Sequence, residues 1–134
     1  MTKDQIEALI VSIFPQVIQN PALRGCCDLV ADDIAAILGS YHVPTIKFEG
    51  QASISDGSLV IGFHQGERGK HCWVDAQTDD GSIVGIDCSI FHQYNMPFRP
   101  AFPVIFDSTN PPPAIKQFVA RGFTFKYKAI KIRP

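Results

Sequence analysis

The residues best suited to chemistry are two adjacent cysteines, Cys26 and Cys27, a histidine, His71, and an aspartate, Asp87. His71 and Asp87 lie in two β-rich runs, Lys70 to Thr78 and Ser82 to Cys88, separated by Asp79-Asp80-Gly81, which is the pattern of a β-hairpin. If Gly81 supplies the left-handed position of a three-residue bulged loop, Thr78 pairs with Ser82 and Trp73 with Asp87. Side chains alternate along a strand, so His71, Trp73, Asp75, Gln77, Ile83, Gly85 and Asp87 share one face. Cys72, Val74, Ala76, Val84, Ile86 and Cys88 form the other, apolar face. His71 and Asp87 then stand one diagonal step apart. A carboxylate there accepts a ring N–H, fixes the tautomer and stabilises the imidazolium, as a general base and its orienting acid require. The same geometry also serves a purely structural cross-strand pair.

A nucleophile for such a base is offered upstream. Arg24-Gly25-Cys26-Cys27-Asp28 opens an apolar-periodic segment that runs to Leu38 and is stopped by Gly39. At a helix N-terminus, unpaired N–H groups and the helix dipole favour a thiolate. Helical spacing puts Cys27, Val30, Ala31, Ile34, Ile37 and Leu38 on one apolar stripe, whereas the row of Cys26 runs through Leu29, Val30 and Asp33. Cys27 is therefore the cysteine expected to face whatever the helix packs against.

A cysteine after a Gly-x step at a helix start, a His-x-Trp-Val strand, and an acidic residue sixteen positions on in a Gly-Ser-Ile-Val-Gly-Ile-Asp strand together resemble the papain-like and transglutaminase-like cysteine superfamily. That group includes peptidases, amidases, protein glutamine deamidases, transglutaminases and arylamine N-acetyltransferases. The resemblance spans residues 19 to 90 and implies that Cys27 is the nucleophile, His71 the base and Asp87 its orienting partner. It also implies substrate-binding positions at Gln19, Asn20, Cys26 and Trp73. The resemblance offers Gln19 or Asn20 to complete an oxyanion hole, although the stronger reading of Asn20-Pro21 is an ordinary helix stop and turn. The implied reaction is amide hydrolysis through a thioester, on a peptide bond or a glutamine side chain and with no cofactor. Acyl transfer on the same triad is the alternative.

The elements that must hold these residues follow from the rest of the chain. With 134 residues, 46% of them apolar and 19% charged, the chain is read as one domain, 1–134, with room for one core. A net charge of −1 with no basic cluster argues against nucleic acid as partner. The longest apolar stretch is too short to span a bilayer, and no secretory signal pattern opens the chain. Four cysteines, two of them adjacent, do not read as a disulfide scaffold, so a reducing, cytoplasmic compartment is expected. A peptide or protein substrate is the expected partner.

Thr2 and Gln5 form an approximate capping box before Ile6, Leu9, Ile10, Ile13, Phe14, Val17 and Ile18 at helical spacing, with Pro15 expected to kink or divide the helix. Strands are expected over Thr45 to Glu49 and Ser58 to Phe63. The glycine-interrupted loop His64 to Lys70 reads either as a cover that closes over substrate or as a solvated connection. Ser89 to Pro103 is too irregular for helix or strand, and its aromatics, Phe91, Tyr94 and Phe98 among them, wrap the core or line a groove. Val104 to Phe106 reads as a short strand, and Pro111 to Gly122 as a short helix ended by glycine. Phe123 to Ile132 reads as a strand with Lys126 and Lys128 on a wet face that protects an edge.

Together these predict a papain-like α+β fold, with N-terminal helices and the cysteine helix packed on an antiparallel sheet of about five strands. Two other functions use the same residues. Cys26, Cys27, His71, Cys72 and Cys88 are soft metal ligands, but Cys72 and Cys88 fall on the strand face opposite His71 and no Cys-x-x-Cys knuckle is present. The Pro/Phe-rich segment alternatively suits a non-catalytic interaction module.

Overall fold

The computed structural model describes residues 1–63, 71–108 and 115–133. Helix α1 spans Lys3–Gln19 and helix α2 spans Cys27–Ser40. Seven strands follow: β1 (Thr45–Ser55), β2 (Val60–Phe63), β3 (His71–Gln77), β4 (Ile83–Asp87), β5 (Val104–Asp107), β6 (Ile115–Ala120) and β7 (Phe123–Arg133). They form one antiparallel sheet in the order β5-β4-β3-β1-β7-β6, with β2 paired to the distal half of β1. The sheet curls until its outer strands face each other. Phe106 of β5 stacks on Phe118 of β6 with ring centroids 4.9 Å apart, so side chains rather than a hydrogen-bonded ladder bridge the gap.

This nearly closed, barrel-like sheet corrects the expected papain-like α+β fold with about five strands. Two strands account for the difference. Gly50-Gln51-Ala52-Ser53-Ile54-Ser55 carries few strand-forming residues, yet β1 runs through it, because β7 pairs along its length and a bulge at Glu49/Gly50 lets the ladder turn. Gly50 is obligatory there, since a Cβ would strike the Lys128 carbonyl. Ile115 to Ala120, expected as helix, is strand β6: Lys116, Phe118 and Ala120 are half-buried while Ile115, Gln117 and Val119 are exposed, a period of two. Arg121 and Gly122, at φ of 50° and 85°, make the two-residue turn into β7. The Pro111 to Pro113 start assigned to that helix, and the loop His64 to Lys70, lie outside the described residues. β7 is flanked by β1 and β6, so Lys126 and Lys128 guard no edge.

Two cores share the sheet. On the outer face of β3 and β4, Cys72, Val74, Ala76, Val84, Ile86 and Cys88 pack against Ile6, Ile10, Phe14 and Val17 of α1 and Cys27, Val30, Ala31, Ile34 and Leu38 of α2. The capping box forms, with Thr2 and Gln5 each accepting from the other's backbone N–H. α1 runs unbroken through Pro15. The carbonyl that Pro15 leaves without its N–H partner belongs to Val11, which is 52% exposed, so water can take its place. Inside the curl, Phe48, Trp73, Phe91, Phe102, Phe125 and Tyr127 form an aromatic core. The irregular segment after β4, with one 3-10 turn at Ile90–His92, plugs it: Phe91 and Phe98 are buried there, and Tyr94 is exposed.

The hairpin register is the expected one, with Val74 opposite Ile86, Gln77 opposite Ile83 and Gly81 left-handed. It places polar groups inside the aromatic core. Asp75 is one: Ser108 Oγ donates to its Oδ2 at 2.8 Å, while Oδ1 is buried without a partner among the described residues. Burial pushes its carboxyl up from 3.8 to about 6, with the Ser108 bond opposing. The folded state thus binds the proton more tightly than the unfolded chain, and stability falls as pH rises from about 4 to about 6. Asp75→Asn is expected to raise stability at pH 7 by about 1–3 kcal/mol and to flatten that fall, measured by urea denaturation across pH 4–7.

Candidate functional site

The hairpin sets His71 at the first residue of β3 and Asp87 at the last of β4, both on the inner face. Their side chains meet: His71 Nε2 lies 2.5 Å from Asp87 Oδ2. A carboxylate can only accept, so the ring donates from Nε2. The Tyr127 hydroxyl on β7 donates to the same oxygen at 2.7 Å. Asp87 Oδ1 accepts from the Ser89 N–H at 2.9 Å, the Ser89 hydroxyl at 3.1 Å and the Ile90 N–H at 3.2 Å. Burial alone would push this carboxyl up, but the facing charge of His71 and these hydrogen bonds outweigh it and hold Asp87 below the ordinary carboxylate range. Burial, then the Asp87 charge, pushes the Tyr127 phenol well above its usual value, so it remains a donor.

Aromatic rings wall the imidazole: Trp73 at 6.1 Å, Phe63 at 5.7 Å and Tyr127 at 6.3 Å between centroids. His71 is fully buried, and among the described residues its Nδ1 has no hydrogen-bond partner. In the neutral ring, protonated on Nε2, Nδ1 carries a free lone pair.

The cysteines come from the loop into α2. Gly25, at φ 74°, donates its N–H to the His92 carbonyl at 2.8 Å, fastening this loop to the segment after Asp87. Cys26 is the N-cap of α2 and only half-buried, its Sγ 3.5 Å from the Ala22 carbonyl. Cys27 is the first helical residue, buried on the expected stripe. Its thiol, however, packs in the same core as Cys72, which lies on the outer face of β3. The neighbouring Cys72 thiol and burial push Cys27 up, with a smaller push from Asp87. Cys72 is lowered in turn, chiefly by the Cys27 thiol and further by Lys47. Lys47 is itself ion-paired to Asp28 and, at 2.8 Å, to Asp32 on α2.

The two halves of the expected triad therefore reach the same end of the sheet from opposite faces of β3. His71 and Asp87 meet directly; the Cys27 thiol meets Cys72 instead of Nδ1. Of the expected substrate-binding residues, Asn20 uses its Oδ1 to accept from the Ala22 N–H at 3.0 Å, capping the 3-10 turn Pro21–Leu23. Gln19 lines a surface cleft beside Arg24 and His92. Trp73 is buried edge-on to Tyr127, with centroids 5.1 Å apart, and serves as a wall of the imidazole pocket.

Sequence reasoning missed Tyr127 and Cys72. The second was within reach, because the stripe carrying Cys27 and the hairpin face carrying Cys72 are the two apolar surfaces that must pack. The first was not, because nothing local in β7 indicates a carboxylate 40 residues away. Among the described residues no group of three or more His, Cys, Asp or Glu side chains is arranged to hold a metal ion, and no helix is long and apolar enough to cross a membrane. A scan against protein-family models, a search of curated proteins and a search of solved structures each return no match.

The buried charge network has a measurable signature. Asp87→Ala leaves His71, Tyr127 and two backbone N–H groups without their acceptor and is expected to destabilise the fold by about 3–5 kcal/mol. Tyr127→Phe removes one donor from a carboxylate that keeps its others, with an expected cost of about 1–2 kcal/mol. Chemical denaturation of both variants at pH 7 checks the order.

Proposed function

We propose that the protein is a thiol-dependent amide hydrolase, with Cys27 as nucleophile and His71, oriented by Asp87, as general base. The observation that carries this reading is the fully buried imidazole whose Nε2 is locked on a charged carboxylate and whose Nδ1 is left without a partner among the described residues. Structural histidines satisfy both ring nitrogens as a rule, because an unpaired buried polar atom costs about 1–3 kcal/mol. The position of Cys27 at the N-terminus of α2, where the dipole works against the upward push of Cys72 and burial, supports the nucleophile assignment.

In the proposed turnover the N-terminus of α2 must first shift relative to β3, because Cys27 and His71 lie on opposite faces of that strand; the Cys27 thiol then passes its proton to Nδ1. The thiolate attacks the amide carbonyl carbon, giving a tetrahedral intermediate. The imidazolium protonates the departing amine or ammonia as the C–N bond breaks, leaving a thioester. A water molecule, deprotonated by Nδ1, attacks the thioester, and expulsion of the Cys27 thiolate releases the acid. The substrate is a peptide bond or a glutamine side chain of a peptide or protein. Four free thiols suit a reducing compartment such as the cytoplasm.

One observation favours a second reading: His71 is fully buried, as suits a structural dyad in a non-catalytic interaction module. The pH dependence of iodoacetamide alkylation at each cysteine, read by mass spectrometry in wild type and His71→Ala, separates the two. The hydrolase reading expects Cys27, although Cys72 and burial push its resting thiol up, to be alkylated faster in wild type than in His71→Ala, and Cys27→Ser to abolish release of ammonia or amine from glutamine-containing peptides. Slow alkylation of Cys27 that is indifferent to His71 would leave the module reading standing.

A further inference from the structure

A cleft of about 370 Å³ opens where the end of α1, the loop into α2 and the segment after β4 meet, lined among others by Ile18, Gln19, Arg24, Phe91, His92 and Arg99. Among the described residues no Asp or Glu lines it. Its two guanidinium groups are held from outside the cleft. Arg99 uses both hydrogens of Nη1 on the carbonyls of Met96 at 3.0 Å and Phe98 at 2.7 Å, which fixes the plane of the fork and leaves Nη2 and Nε for another acceptor. Arg24 lies over the Tyr94 ring, its guanidinium carbon 5.3 Å from the ring centroid. The Tyr94 ring reaches this position because Gly25 has no side chain; a Cβ there would collide with it. Among the described residues neither arginine has a carboxylate partner.

Two pre-oriented cations without a counter-charge, beside an apolar wall of Ile18 and Phe91, match one chemistry. We propose that the cleft binds a carboxylate carried by a peptide, either a C-terminal carboxylate or an Asp or Glu side chain. Arg24 and Arg99 receive the carboxylate through fork-to-oxygen hydrogen bonds, and Ile18 and Phe91 receive the neighbouring side chain. The volume suits one or two residues of a peptide and is at the lower end of the range for small-ligand pockets. Binding here does not depend on the hydrolase reading; only the peptide's being a substrate does. The Gly25 to His92 bond ties the cleft to the loop that carries Cys26 and Cys27.

Binding is measured by fluorescence polarisation on the wild-type chain with three labelled peptides: one ending in a free carboxylate after an apolar residue, its C-terminal amide, and the amide with Asp in the last position. At least one carboxylate peptide is expected to bind about tenfold or more tightly than the neutral amide, and the comparison of the two says which source is preferred. Arg24→Gln is expected to weaken the carboxylate peptides about fivefold or more and leave the neutral amide unchanged. Arg99→Lys, which keeps a donor for the Met96 and Phe98 carbonyls, is expected to do the same if its circular dichroism matches wild type. Equal binding of charged and neutral peptides, or no effect of Arg24→Gln, overturns the proposal. Displacement of the peptides by equimolar inorganic phosphate overturns it too, since a bare-anion site would then account for the affinity. Should carboxylate binding appear while alkylation and hydrolysis show no dependence on Cys27 and His71, the hydrolase reading falls and the cleft stands.

Discussion

The charge on Asp87 is the constraint to which the rest of the structure conforms. A carboxylate fully buried among aromatic rings is tolerable only if nearly every lone pair is met, and five hydrogen bonds from four residues do so. Each donor fixes a different part of the chain. His71 ties the start of β3, Tyr127 ties β7 across the barrel, and Ser89 and Ile90 initiate the 3-10 turn that swings the proline-rich segment into the barrel mouth. Any shift of register in the hairpin would withdraw Asp87 from all of them, because a slip of one residue sends it to the opposite face.

The site divides along β3. Its inner face holds the imidazole and carboxylate, and its outer face holds the paired thiols of Cys27 and Cys72 with Lys47, Asp28 and Asp32 behind them. Cys72 and burial push the Cys27 thiol up, and this sets its resting condition. Its release toward Nδ1 is the step on which the proposed chemistry depends. Close packing on both faces explains why Gly85 carries no side chain, since the Phe106 ring lies against it.

What could be read from the chain was local. The three-residue turn at Asp79-Asp80-Gly81, the alternation of His71 and Trp73 against Cys72 and Val74, and the apolar stripe of α2 follow from glycine's access to positive φ and from the two periodicities of strand and helix. Those alone bring His71 to Asp87 and bury Cys27 in place of Cys26. The reading failed where long-range pairing overrode local preference. Gly50 to Ser55 became strand because β7 lies beside it, and Ile115 to Ala120 took a period of two that a short apolar run can share with a helix.

The sequence by itself determined the pieces: a capped amphipathic helix, a cysteine at the start of a second, a hairpin with a fixed register, and an imidazole one diagonal step from a carboxylate. Only the tertiary structure decided how they face one another. Curling of the sheet put His71 and Asp87 inside and brought Tyr127 to them, while packing of the two apolar surfaces turned Cys27 to Cys72. The physical reason is that strand order and sheet curvature are set by contacts between residues far apart in the chain, chiefly the aromatic stack of Phe106, Phe118, Phe125 and Tyr127, and no local pattern encodes which distant strand a given strand will pair with.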